Sequence, residues 1–102
     1  MSDRTVIRIV ADPDLADLIP MYVRRRHGDL AKTREALAAG DLETIRIVGH
    51  SMKGSGGGYG FDGISEIGAR METAGNQADA SAAADAIAQL ADYLDRLEVV
   101  YV

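Results

Sequence analysis

The sequence contains no cysteine. That absence excludes a disulfide framework, a thiolate metal site and a cysteine nucleophile. It also lacks any uninterrupted apolar stretch approaching the roughly 18 residues of a membrane helix, so no membrane partner is expected. The opening Met-Ser-Asp-Arg runs into a short β-branched stretch, without the apolar core and cleavage site of a signal peptide. The cytoplasm is therefore the expected compartment. Basic residues are short in supply, 11 against 16 acids, for a net charge of -5. This argues against nucleic acid as the main partner, because neutralising phosphates needs a basic surface.

What is present is ordinary for a globular chain. With 102 residues there is room for one domain, read here as 1–102. Hydrophobic residues make up 47% and charged residues 26%, which excludes a wholly disordered chain. The charge is unevenly spread. Seven of the 11 basic residues lie between Arg24 and Lys53, whereas the chain from Phe61 onward is mostly acidic. Most of these charges are solvated helix faces, and the asymmetry adds a basic face suited to an acidic partner.

Residues 5–10 are β-branched and Arg-rich. One short run cannot form a sheet alone, so residues 1–11 are expected to be a short extended N-terminal arm. Asp12-Pro13-Asp14 has the chemistry of a helix start, with a capping Asp and Pro at the first position. Leu15, Leu18, Ile19, Tyr22 and Val23 follow with helical period, and Leu30 and Leu37 continue the stripe to Gly40. Pro20 interrupts this helix and is expected to kink it or split off a first segment. Asp41 caps a second helix with apolar Leu42, Ile45, Val48, Met52 and Tyr59, closed by Gly58-Tyr59-Gly60. A third carries Phe61, Ile64, Ile67 and Met71 and stops near Gly75-Asn76. A fourth, Ala-rich, runs from Asp79 to Glu98. The expected fold is all-α: an antiparallel four-helix bundle spanning residues 12–98.

The chemistry concentrates in Gly49-His50-Ser51-Met52-Lys53-Gly54-Ser55-Gly56-Gly57-Gly58-Tyr59-Gly60. At about 100° per residue, Arg46, Lys53, Gly54 and Gly57 fall within roughly 60° of the His50 direction. Ile45, Val48, Met52 and Tyr59 point to the other side. The imidazole therefore faces away from the core, on a stripe of cations and glycines. A neutral imidazole is a nucleophile near pH 7. Lys53 and Arg46 can offset the charge of a phosphoryl group, and Gly54 and Gly57 leave the ring open. Five helical glycines cost roughly 4–5 kcal/mol relative to alanine. Net stability is typically only about 5–15 kcal/mol. Such a cost implies close approach, by a partner outside or by neighbouring helices inside.

Other motifs carry less. Gly58, Gly60 and Gly63 fit G-x-G-x-x-G, but no βαβ unit surrounds them. His27 and His50 have no third metal ligand in register. Arg24-Arg25-Arg26-His27 is most simply a solvated face.

The segment His50 to Gly60, H-S-M-K-G-S-G-G-G-Y-G, resembles the signature of histidine phosphotransfer (HPt) domains. The matching positions are His50, Lys53, Gly54 and Gly60, with Met71 and Glu72 further on, and the likeness extends from about Asp12 to Glu98. Met52 stands where Leu is commoner, glycine is denser at Gly56–Gly58, and Glu72 replaces the Gln of some members. The resemblance implies a phosphoryl carrier of two-component phosphorelays without its own ATP site. His50 would take the group from a receiver-domain aspartyl phosphate and pass it to another receiver. The receiver would bring the Mg²⁺, so no cofactor is expected here. Implied partners are response-regulator receivers and a hybrid histidine kinase, and the implied state is a monomer. Lys53 would stabilise phosphoryl charge, Gly54 would give access, and Glu72 would orient His50 or be an ordinary surface Glu. Leu42, Ile45, Arg46 and Gly57 are the expected docking residues, together with part of the first helix. Three other readings stay open: a receiver-binding module without transfer, an aspartyl-phosphate phosphatase using Glu72 or Ser51, and a fragment of a kinase dimerisation bundle.

Overall fold

A computed structural model describes residues 5–102. Met1–Arg4, the first residues of the expected arm, lie outside the described residues. The long elements are four helices: α1 (Ile19–Ala38), α2 (Leu42–Ser55), α3 (Asp62–Asn76) and α4 (Ala80–Arg96). Two strands flank them, β1 (Ile7–Ala11) and β2 (Leu97–Tyr101).

The strands correct the sequence reading at both ends. β1 is extended, as expected of the arm, but it has a partner strand that the sequence reading did not foresee. It pairs in parallel with β2, from Ile7 opposite Leu97 to Ala11 opposite Tyr101. The last helix accordingly stops at Arg96, and Leu97 turns to extended backbone. A parallel pair needs a long crossover, and here the whole set of helices supplies it. Ile7, Ile9, Leu97 and Val99 pack against the core, while Ala11 is buried in it.

The start of the first helix also differs. Asp12 does cap, accepting the Asp14 amide at 2.9 Å. What it caps is a 3₁₀ turn at Pro13–Leu15, not the long helix. Pro20 lies in the first turn of α1, where its missing N–H has no partner to lose. At the other end Gly40 adopts φ +73°, the left-handed conformation that lets Asp41 N–H reach Ala36 O at 2.8 Å and close the helix. Asp41 then caps α2 through the Thr44 amide, and Asp79 caps α4 through that of Ala82.

Ile19, Ile45, Met52, Phe61, Ile64, Met71 and Leu90 form the deepest layer of the core. α2 and α3 approach so closely that there is no room for a Cβ between them. One added to Gly49 would sit 2.6 Å from Glu72 N and 2.7 Å from Gly68 O. One added to Gly68 would meet Lys53 N at 2.5 Å. Gly56 lies against Ser65 and Phe61, and Gly75 against Arg46 and Leu42. Glycine at 49, 56, 68 and 75 thus makes a seam that lets two backbones touch.

Candidate functional site

α2 places His50 on its outer side, because Ile45, Val48, Gly49 and Met52 take the inner side. The ring stands in solvent, with its side chain 67% exposed. Its Nδ1 lies 2.7 Å from Glu72 Oε2, which reaches it from α3. The other Glu72 oxygen, Oε1, takes the Lys53 ammonium at 2.6 Å. One carboxylate therefore holds both the imidazole and the cation one turn on.

The glycine seam makes this bridge short. Glu72 N is the atom that a Cβ on Gly49 would strike, so the α3 backbone passes directly beside the turn carrying His50. Glu72 is mostly covered, its side chain 16% exposed. The Lys53 hydrogen bond, followed by that from His50, holds its carboxyl below the ordinary carboxylate value. A carboxylate is acceptor only, so the ring proton belongs on Nδ1. A neutral ring then keeps its lone pair on Nε2, the atom turned away from Glu72.

The other expected residues separate into groups. Gly54 has open space where its Cβ would be. Gly57 is exposed but lies beyond α2, in a 3₁₀ turn at Gly57–Tyr59, and its amide donates to Ser65 Oγ at 3.0 Å. Arg46 is engaged by Glu43 through two hydrogen bonds, of 2.8 and 2.6 Å, one turn before His50. Leu42 is half-buried against the core. Ile45 corrects the expected docking rim: it is fully buried, one of the core residues that anchor α2. Ile47 was missed. It is 52% exposed on α2, and the same helical projection sets it about 60° from His50. Leu18 and Met21 are exposed too, in a hollow with Tyr22, Arg25 and Tyr59 at the start of α1.

Behind that hollow, α1 is locked to the end of α2. The Tyr22 ring stacks with Tyr59 and with Phe61, at centroid distances of 4.5 and 5.5 Å. Tyr22 OH and Arg26 Nη1 both reach Ser55 Oγ at 3.1 Å. The buried Arg26 guanidinium lies over the Tyr22 ring and pairs with Asp29 at 2.9 Å.

The Hpt domain family model matches residues 17–99. The chain belongs to the Hpt domain family. Hpt domains are phosphotransfer modules of two-component signalling, phosphocarriers rather than enzymes with ATP sites, and they interact with receiver domains and kinases. Comparison with curated proteins returns no match, nor does comparison with solved structures. Within this Hpt domain, no group of three or more His, Cys, Asp or Glu among the described residues could hold a metal ion. No helix among them is long and apolar enough to cross a membrane.

Proposed function

We propose that this Hpt domain carries the phosphoryl group on His50, as a cytoplasmic intermediate between receiver domains. The observation that carries the reading is the Glu72 bridge to Nδ1 of an exposed ring, which in the neutral imidazole puts the lone pair on the outward Nε2. The Nε2 lone pair attacks the phosphorus of a receiver's aspartyl phosphate. The N–P bond forms, the P–O bond to the aspartate breaks, and the aspartate carboxylate leaves. The positive charge that develops on the ring is met at Nδ1–H by Glu72. The reverse step onto another receiver returns the neutral ring, and no proton need be moved in either direction. Lys53, released from Glu72 Oε1, turns to a phosphoryl oxygen. That exchange offsets the repulsion between the carboxylate and the incoming group.

In this reading residues 12–98 act as one antiparallel bundle that presents α2 to its partner. Gly54 gives the receiver room beside the ring. Ile47 and the Leu18–Met21 hollow add apolar contacts, Arg46 and Gly57 line the approach, and Leu42 contributes only its exposed part.

³¹P NMR on the protein mixed with phosphorylated receivers tests the reading, with His50→Gln as control. The expected result is an acid-labile phosphoramidate signal in the parent and none in the variant. No such signal with any of several receivers overturns it and leaves a module that binds receivers without transfer. A signal that survives His50→Gln overturns the assignment to His50.

A further inference from the structure

The two-stranded ribbon has an uncovered side. Its inner side chains, Ile7, Ile9, Leu97 and Val99, lie on the core. Strand alternation puts Arg8 and Val10 on the opposite face, and exposed Val6 precedes the strand. The parallel register sets Glu98 beside Arg8 and Val100 beside Val10, and alternation adds Val102. Val6 is 52% exposed, Val10 62% and Val102 75%. In the middle of these valines Arg8 Nε pairs with Glu98 Oε1 at 2.9 Å.

Two general facts make such a face unusual. Parallel strands occur almost only where both faces are covered. A two-stranded sheet is at best marginally stable unless it is packed. Here one face has its cover, and the other exposes valines around a single ion pair.

We propose that a second copy of this chain covers it, ribbon on ribbon about a two-fold axis. The charge pattern selects that occupant. A two-fold contact must complement itself. This face does so: one cation and one anion sit side by side among valines, so Arg8 of each copy can meet Glu98 of the other. An acidic or basic partner would call for charge of one sign. The chain as a whole, at -5, repels its own kind, and this charge-balanced face does not. Each strand is five residues, about 17 Å long, so the face is far smaller than the roughly 800 Å² per partner of a stable complex. The dimer is accordingly weak and reversible. It departs from the monomer that the family resemblance implied, and it uses none of the residues around His50.

Sedimentation analysis of the full chain, from low micromolar to millimolar, tests this with four samples beside the parent. The parent should pass from monomer to dimer as concentration rises. Val10→Lys, which leaves the Arg8–Glu98 pair in place, should weaken association by at least about tenfold. Arg8→Glu makes the face acidic and Glu98→Arg makes it basic, so each alone should stay monomeric. An equimolar mixture of those two should dimerise, as acidic face meets basic face. Far-UV circular dichroism of each variant checks that the helices are intact. A parent that stays monomeric throughout overturns the proposal. So does a dimer that survives Val10→Lys, or a mixture of folded charge variants that fails to associate.

Discussion

Gly49 and Gly54 are five residues apart in one helix, and alanine at the two positions should act with opposite sign. At Gly54 a Cβ meets nothing within 4 Å. Only helix propensity changes, and Gly→Ala should add about 1 kcal/mol of stability. For a domain of this size that raises Tm by about 4–8 °C. At Gly49 the same propensity gain competes with three close contacts: Glu72 N at 2.6 Å, Gly68 O at 2.7 Å and the Met71 Cβ at 2.7 Å. Two of those are backbone atoms that cannot rotate away. Overpacking costs about 1–3 kcal/mol, and a contact against a helix backbone belongs at the upper end. The net for Gly49→Ala is a loss of about 2 kcal/mol, or roughly 10 °C in Tm. Thermal unfolding followed by circular dichroism reads both values. If Gly49→Ala proves neutral or stabilising, the close approach of α2 and α3 is not what this glycine serves. Gly54 has a second arm. Gly54→Gln should fold as well as the parent yet slow phosphoryl transfer, because its side chain occupies the approach to His50. Unchanged transfer would remove the steric role and leave the glycine without a physical account.

Other outcomes follow from the same contacts. Glu72 has its pKa lowered by Lys53 and His50, so its bridge stabilises the fold above the unfolded carboxyl value and loses that effect as pH falls through the lower folded value. The denaturation midpoint of the parent should exceed that of Glu72→Gln at neutral pH, and the gap should close below pH 4.5, the unshifted value. A gap independent of pH would mean that the carboxylate's charge is not what matters. Lys53→Ala should shorten the lifetime of phosphohistidine, measured by its decay in ³¹P spectra; an unchanged lifetime would make Lys53 only a clamp on Glu72. Arg26→Ala strands Asp29 and frees Ser55, and should cost about 2 kcal/mol in urea unfolding, below the full buried-pair range because Asp29 keeps some access to water. The burial that already raises the Asp29 carboxyl pKa should raise it further once Arg26 is gone, as its NMR titration would report.

The glycine-rich segment illustrates how far residues alone can be read. Its helical projection correctly turned His50 outward, since Ile45, Val48 and Met52 claim the inner side. It could not divide the glycines between a partner outside and a helix inside. That division depends on what lies opposite each position, and α3 lies opposite Gly49 and Gly56 but not Gly54. Likewise Asp41 and Asp79 were legible as caps because capping is a local hydrogen bond. The 3₁₀ turn after Asp12 was not, since the same cap serves a short turn and a long helix. Ile45 was misplaced on the docking rim for a related reason: an apolar residue near a site reads as core or as contact until its neighbours are known. Ile47, off the apolar stripe, carried a signal that could have been taken up.

By itself, the sequence determined what depends on residue type and local spacing. Helix period, caps and the terminating Gly40 settle within a few residues, so four helices and an outward His50 were readable, as was the absence of any thiol chemistry. Tertiary structure alone decided what depends on residues far apart in the chain. Glu72, 22 residues from His50, became its partner only because four glycines let α2 and α3 touch. β1 became a strand only because β2, 90 residues later, lay beside it. A strand has no hydrogen bonds of its own to announce it; its pairing is made across space, and the helices between the two strands set the register.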